Sequence, residues 1–250
     1  MFKLRNQELI ILIVTLVIFA GFSVFLDKFF STGNLLTLMR SVSILGILSI
    51  AMAVVVISKG IDLSLIATLA VGTALASVLS SGAVLPSIDL PFIYAVILGF
   101  IFTAVLCAIT GILVAYWDMA SVFVTLAMAG VIYGLGRTLF IQDERNYLPE
   151  DAAWLEFLGR GQLFGVPMPI ICFLVLAIIM HLLLTKTTFG KFVYSIGDSG
   201  LAARTAGVPV RPILVMIFIL AGTVAYFAGL LTAGAISSIN TRMVAGSMIY

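Results

Sequence analysis

Long apolar runs separated by short polar segments are the feature of this sequence that most restricts its fold. The run FIYAVILGFIFTAVLCAITGILVAY at 92–116 contains no Asp, Glu, Lys or Arg, and about 20 predominantly apolar residues are enough to cross a bilayer. Only 10% of the chain is charged and 62% is hydrophobic, whereas about 25% of the residues in a soluble domain are charged. Because the backbone must satisfy its own hydrogen bonds within hydrocarbon, these runs are predicted to be helices.

The sequence therefore predicts an all-α fold, a polytopic transmembrane helical bundle that forms a single domain over residues 1–250. The basic and apolar N-terminal segment has no A-x-A-like cleavage site, so it is interpreted as an uncleaved first span. About seven spans are expected, at 8–26, 42–58, 63–80, 92–116, 119–140, 168–185 and 213–236.

The distribution of charge predicts the orientation of the loops. Segment 142–167 holds five acidic and two basic residues, whereas segment 186–212 holds four basic residues and one acidic residue. Because loops rich in Lys and Arg stay inside, 186–212 is predicted to be cytoplasmic and 142–167 external. Lys3 and Arg5 place the N-terminus in the cytoplasm, and seven crossings from there agree with both assignments.

Small residues recur at every fourth position in three of the predicted spans. Such stripes let helix backbones approach closely in lipid, and packing within one chain is favoured here over a dimer interface. The stripes are Gly99, Thr103, Cys107, Gly111 and Ala115; Gly130 and Gly134; and Ala221, Ala225, Gly229 and Ala233.

Motifs for catalysis, metal binding and ion coupling are missing from the sequence. It contains no H-E-x-x-H, C-x-x-C, G-x-S-x-G or Walker phosphate loop. The lone His181 is interpreted as an interfacial or packing residue, and Cys107 and Cys172 as small hydrophobes without a disulfide. Away from their ends the spans carry no charged residue, which argues against ion coupling. The chain is predicted not to be an enzyme and to bind no metal, so energy for uphill transport has to come from another chain.

The segment SKGIDLS at 58–64 separates the second and third spans. Gly60 permits backbone angles that other residues resist, and Asp62 or Ser64 can accept hydrogen bonds from the first turn of the next helix. A tight cytoplasmic turn with a helix cap is the favoured interpretation. The alternative is a helix break beside the solute path, because unwound backbone at membrane depth is tolerated where it lines a cavity.

The segment TTFGKFVYSIGDSGLAARTAGVPVRP at 187–212 is unusually polar for this chain. Asp198 and Ser199 are good N-cap residues for a short helix over GLAARTA, which carries Arg204, and Gly207 can end that helix in the left-handed conformation. Pro209 and Pro212 then prevent its continuation. Two interpretations stay open on these residues alone: a basic loop that contacts anionic lipid, and a docking element for a cytosolic partner.

In chain order, GIDLS at 60–64, SVFVTLAMAGVIYGLGRTL at 121–139 and TTFGKFVYSIGDSGLAARTAGV at 187–208 resemble segments of the membrane permeases of ATP-binding-cassette sugar importers. This group includes the ribose permease and its relatives for other monosaccharides. The resemblance runs from the first span to the last residue. The matching positions in the second segment are Phe123, Thr125 and Leu126, and those in the third are Gly190, Tyr194, Gly197, Ala202, Ala203 and Gly207.

The resemblance implies a transport subunit of the inner (plasma) membrane that works by alternating access. Residues 187–208 would form the cytoplasmic coupling segment, which contacts a nucleotide-binding ATPase subunit. The partners would be that ATPase with its ATP and Mg²⁺, a second permease subunit, an extracytoplasmic sugar-binding protein and membrane lipid, but no nucleic acid. The implied coupling residues are Gly190, Lys191, Tyr194, Gly197, Asp198, Ala202, Ala203, Arg204 and Gly207. The implied residues of the solute path or its gate are Lys59, Gly60, Asp62, Ser64, Phe123 and Thr125.

Two departures from the family's pattern are visible. After GIDLS many relatives continue with Val-Gly-Ser, whereas this chain has Leu65, Ile66 and Ala67. Relatives also continue beyond AGSMIY with a glycine-rich stretch and further spans, so the chain is expected to be truncated at its C-terminus. An ATP-independent facilitator or channel and a non-transporting membrane scaffold remain the alternative functions.

Overall fold

The computed structural model describes residues 6–80, 90–139, 145–236 and 238–240. These residues are mainly helical, with two small antiparallel strand pairs, β1 with β4 and β2 with β3. The helices are α1 (Asn6–Phe25), α2 (Thr32–Ile57), α3 (Leu65–Ser80), α4 (Phe92–Tyr116), α5 (Ser121–Leu139), α6 (Ala153–Arg160), α7 (Met168–Lys186), α8 (Thr188–Asp198), α9 (Gly200–Thr205) and α10 (Val210–Ile236). The strands are β1 (Arg145–Tyr147), β2 (Gln162–Leu163), β3 (Val166–Pro167) and β4 (Ser238–Asn240).

The predicted polytopic helical fold agrees with the structure, and each predicted span coincides with one helix. Among the described residues, 5 helices are long and apolar enough to cross a membrane: Thr32–Ile57, Phe92–Tyr116, Ser121–Thr138, Met168–Lys186 and Val210–Ile236. Leu9–Phe25 and Leu65–Ser80 are shorter apolar helices. The number of seven crossings and the cytoplasmic N-terminus therefore stay predictions.

The largest differences from the predicted spans are the start of α2 and two helices that were not predicted, α6 and α8. Helix α2 begins at Thr32, well before the predicted start at residue 42, because a polar first turn and Arg40 do not interrupt a helix although they lower its hydropathy. Helix α8 was not predicted at all. It is amphipathic, with Val193 and Ile196 buried, and a search for long apolar runs does not detect such a helix.

The chain divides into two compact units, residues 1–42 and 43–250. In the first unit, the ring of Phe29, which follows α1, lies 5.3 Å from the ring of Phe19 and 5.9 Å from that of Phe22. The side-chain amide of Asn34 donates a hydrogen bond of 2.8 Å to the carbonyl of Phe29. These contacts order the turn between α1 and α2.

The second unit is centred on α3, which is buried along most of its length. It packs with α4 and α10 through very close backbone approaches. The hydroxyl of Tyr226 on α10 donates a 2.9 Å hydrogen bond to the carbonyl of Val96 on α4, and a Cβ at Gly99 would lie 2.6 Å from that hydroxyl oxygen. A Cβ at Gly111 would lie 2.8 Å from the Cα of Val215.

Two of the three predicted small-residue stripes pack against other helices of the chain, and the third does not. The α4 and α10 stripes form the packing of α3, α4 and α10 within the chain, as the favoured interpretation held. The α5 stripe does not, because a Cβ at Gly130 or Gly134 would meet nothing within 4 Å. Its face points away from the rest of the described chain.

Polar contacts mark two ends of the bundle. At one end Arg211 lies 3.8 Å from the Asp118 carboxylate and 5.4 Å from the centre of the Tyr116 ring, and α8 and α9 lie here too. We call this end, with residues 58–64, 116–121 and 186–211, the basic end. At the opposite end the carboxylate of Asp151 accepts a 2.6 Å hydrogen bond from the amide of Phe92. Residues 145–167, the described part of segment 142–167, and segment 186–212 thus lie at opposite ends of the bundle, while the side of the membrane that each end faces stays a prediction.

The close approach of α4 and α10 predicts a strong position dependence for glycine substitutions. Gly222→Ala should lower the free energy of unfolding by about 1–3 kcal/mol, because the new Cβ would overlap the Cys107 sulfur in a packed core. Gly130→Ala should leave stability almost unchanged, since its Cβ meets open space. Thermal unfolding midpoints of both variants in one detergent measure the difference, and equal midpoints would contradict this packing.

Candidate functional site

The loop of residues 58–64 begins where α2 ends, and a residue with left-handed backbone angles closes that helix. The amide of Lys59 donates to the carbonyl of Val56 at 2.9 Å, and the amide of Gly60 donates to that of Val55 at 3.0 Å. This is the Schellman arrangement, in which the residue after the cap is left-handed. That residue is Lys59, with a φ of 63°. Gly60 thus does not use the backbone freedom that glycine offers. Glycine is required there for space instead, because a Cβ would lie 2.9 Å from a methyl carbon of Val55.

The second half of the loop is closed by Asp62 and Ser64. One carboxylate oxygen of Asp62 accepts from the amide of Ser64 at 2.9 Å and from its hydroxyl at 2.6 Å. Asp62 is only 3% exposed, and its other oxygen has no hydrogen-bond partner among the described residues. Burial raises the pKa of this carboxyl, while the bonds from Ser64 oppose that shift. The predicted turn and its acidic residue are present, directly before α3 begins at Leu65.

The first two turns of α5 hold this loop from the side. The hydroxyl of Thr125 donates to the carbonyl of Ile61 at 3.2 Å and accepts from the amide of Leu63 at 3.1 Å. The Ser121 hydroxyl accepts from the amide of Ile61 at 3.0 Å. Thr125 is fully buried, whereas Phe123 is 73% exposed. Phe123 and Thr125, which were both predicted to lie at the solute path or its gate, therefore have different surroundings. Ser121 is a further contact of the loop that was not predicted.

The coupling segment consists of two short helices with side-chain caps. The hydroxyl of Thr187 accepts from the amide of Gly190 at 3.2 Å, and that of Ser199 accepts from the amide of Ala202 at 3.3 Å. Gly207 has a φ of 84° after the end of α9. The predicted Ser199 cap and the left-handed Gly207 are thus confirmed. Asp198 does not cap α9, because it is the last residue of α8.

The predicted coupling residues divide between two faces. Three of them are buried against the bundle: Gly190 contacts the backbone of Leu184, Gly197 contacts the carbonyl of Ile57, and Ala203 is 4% exposed. These three are packing residues in this structure and present no surface to a partner. The exposed ones are Lys191, Tyr194, Asp198, Ala202, Arg204 and Gly207. Leu201, which the sequence analysis did not single out, is 76% exposed at the start of α9.

One hydrogen bond joins the coupling segment to the 58–64 loop. The ammonium of Lys59 donates to the carbonyl of Asp198 at 2.9 Å, across 139 residues of sequence. Beside it, Gly197 lets α8 approach the end of α2 at Ile57. All three segments quoted for the family resemblance therefore meet at the basic end, where α8, the loop and α5 are in consecutive contact. Among the described residues, no group of three His, Cys, Asp or Glu side chains is placed to hold a metal ion.

Comparisons with known proteins identify the family. Residues 34–250 match the family described as branched-chain amino acid transport system / permease component. The L-arabinose ABC transporter permease of Azospirillum brasilense is 33% identical over 238 residues, which are 91% of this chain and 64% of that protein. The ribose import permease of Bacillus subtilis is 34% identical over 208 residues, 83% of this chain and 62% of that protein. The fructose import permease of Rhizobium meliloti is 30% identical over 242 residues, 93% of this chain and 64% of that protein.

The chain belongs to this permease family, and its relatives include permeases of ABC importers for sugars. It is accordingly a multi-pass protein of the inner membrane, in a family of transport subunits and not of enzymes. It spans a little less than two thirds of the length of the arabinose and ribose relatives. No solved structure matches it.

The contacts of Thr125 predict how much it stabilises the site. Thr125→Val keeps the size of the side chain but removes both hydrogen bonds to the loop, so it should cost about 1–3 kcal/mol of unfolding free energy. Thr138→Val on the same helix removes only hydrogen bonds to the carbonyls of Gly134 and Leu135 in the preceding turn, on an exposed face, and should have little effect. Thermal unfolding midpoints of the two variants test this prediction. A midpoint that is lower in Thr138→Val than in Thr125→Val would contradict it.

Proposed function

We propose that the chain is the transmembrane permease subunit of an ATP-binding-cassette importer for a monosaccharide, and that α8 and α9 form its contact with a cytosolic ATPase. The observation that carries the proposal is the division of the coupling segment into a buried and an exposed face. The buried face attaches α8 and α9 to α2 and α10. The exposed face presents Leu201, Ala202 and Arg204, a combination of apolar and basic groups suited to a protein surface.

The solute class comes from the relatives. Three of them carry names that specify arabinose, ribose and fructose transport, and these are neutral sugars. Such solutes are bound through hydroxyl groups and aromatic faces without an ionic partner. The family's own description refers to amino acid transport, so the choice of a sugar depends on these relatives, not on the family assignment.

The proposed mechanism is alternating access driven by ATP hydrolysis on the partner. Approach of two ATPase subunits, which hold the ATP and Mg²⁺, displaces α8 and α9, and the bundle then opens its solute cavity to the other side. This chain supplies no nucleotide chemistry. A second permease subunit completes the path, and an extracytoplasmic binding protein delivers the sugar to the end opposite α9.

The proposal requires the basic end to face the cytoplasm. Lys59, Lys186, Lys191, Arg204 and Arg211 all lie at this end, as the positive-inside rule requires of a cytoplasmic face.

Cysteine labelling in intact cells tests this orientation. A cysteine at Lys191 should react with a membrane-impermeant maleimide only after the cells are permeabilised, because Lys191 is exposed at the basic end. A cysteine at Phe164, which is 98% exposed at the opposite end, should react without permeabilisation. Both measurements use a chain in which Cys107 and Cys172 are replaced by Ala. Reaction at position 191 in intact cells would refute the orientation and the docking role together.

Co-purification with an ATPase tests the docking surface. Leu201→Arg should reduce the amount of ATPase retained by the tagged chain by roughly tenfold or more, because a buried apolar contact at an interface centre is replaced by a charge. Phe164→Arg is the matched control, since it makes the same change at another exposed apolar residue, at the opposite end. Retention of the ATPase by Leu201→Arg at the level of the control would rule out α9 as the contact.

A further inference from the structure

The 58–64 loop is attached on two sides to elements that belong to different parts of the bundle. On one side the ammonium of Lys59 binds the carbonyl of Asp198 at the end of α8, next to the contact of Gly197 with Ile57. On the other side Ser121 and Thr125 of α5 bind the backbone of residues 61 and 63. Only one residue, Gly60, separates Lys59 from the first of these α5 contacts.

The loop has little internal freedom between its two attachments. The amides of Lys59 and Gly60 are held by the end of α2, and Asp62 is held by two hydrogen bonds to Ser64. These bonds restrict how far a segment of seven residues can deform between its two attachments. The loop therefore provides a contiguous chain of contacts from α8 to α5, along which a displacement can be carried.

We propose that the 58–64 loop carries the displacement of α8 and α9 to α5, and that Lys59 is the positioning residue that keeps the loop attached to α8. The proposal rests on the proposed function, in which an ATPase displaces the coupling segment. It goes beyond docking, because it names the route by which motion at the docking surface enters the membrane bundle and the first helix, α5, that receives it.

Lys59 is suited to positioning more than to stabilisation. Its side chain is exposed, and exposed polar contacts of this kind contribute little to folding. An ammonium placed at the C-terminal carbonyl of a helix is nevertheless favoured over a neutral group, because the helix dipole makes that end negative. Its backbone is left-handed, and Lys and Met, which are both unbranched at Cβ, bear a similar cost in that conformation. Lys59→Met therefore removes the donor without changing the backbone cost.

The test measures motion at α5 in the complex with the co-purified ATPase, reconstituted in lipid. In a chain with Cys107 and Cys172 replaced by Ala, a single cysteine at the exposed Phe123 reports on the first turn of α5. Its maleimide reaction rate is compared without nucleotide and after trapping with ATP and vanadate. In the parent the two rates should differ by roughly fivefold or more, at the lower end of the range for coupled sites.

Lys59→Met should reduce this difference to less than about half, while the amount of trapped nucleotide and the unfolding midpoint stay as in the parent. Lys59→Arg retains a charged donor and should preserve most of the difference. Lys186→Met removes an exposed base from the same end and should have no effect. A merely structural Lys59 would alter the midpoint or the trapping and leave the rate difference intact.

A second variant keeps the inference testable if Lys59→Met folds poorly. Thr125→Val removes two of the three hydrogen bonds on the α5 side and should also reduce the difference. Because both residues act on one loop, the double variant should lose no more than the stronger single variant. The inference alone would be overturned if the effects of the two single variants multiplied in the double variant. It would also be overturned if Lys59→Met kept the full rate difference. An unchanged reaction rate in a parent that binds the ATPase and traps nucleotide would also overturn the inference alone. Failure of the parent to bind an ATPase and trap nucleotide would overturn the proposed function, and the inference with it.

Discussion

The close approach of α3, α4 and α10 is the constraint on which the rest of the second unit depends. In lipid the hydrophobic effect does not draw helices together, so their association requires dense van der Waals contact. Glycines on α4 and α10 provide it, because the facing backbones or side chains occupy the space of a missing Cβ. The Tyr226 hydroxyl then satisfies a carbonyl of α4 across the same interface. This packing sets where the ends of the helices lie, and the candidate site is built at one of those ends.

At the basic end the dominant interactions are hydrogen bonds to backbone groups that helix termini leave unpaired. The end of α2 is closed by its own left-handed turn, α9 is capped by Ser199, and the carbonyl at the end of α8 is bound by Lys59. Thr125 satisfies two backbone groups of the loop at once. The site is therefore one connected set of terminal groups, contributed by segments far apart in sequence.

Predictions from the sequence were most accurate where a physical rule acts locally. Long apolar runs identified seven helices of the described residues, α1 to α5, α7 and α10. Ser199 and Gly207 identified the beginning and end of α9. Predictions failed where the outcome depended on neighbours. Helix α8 has the hydropathy of a loop but is stabilised by packing its apolar face on the bundle. The positive backbone angle at the end of α2 lies at Lys59 and not at the neighbouring Gly60, because the hydrogen bonds to the last turn of α2 fix it there. The burial of Gly190, Gly197 and Ala203 against the bundle was likewise not visible in any local pattern.

By itself the sequence determined the membrane class, the helical content and the separation of charge between two ends. These follow from the hydropathy of contiguous residues, which needs no knowledge of distant contacts. Only the tertiary structure decided which face of the coupling segment is free, which small-residue stripes are used, and that Lys59, Thr125 and α8 meet around one loop. Those outcomes depend on distances between residues 60 to 140 positions apart, and such distances are set by the packing of whole helices and not by any local pattern.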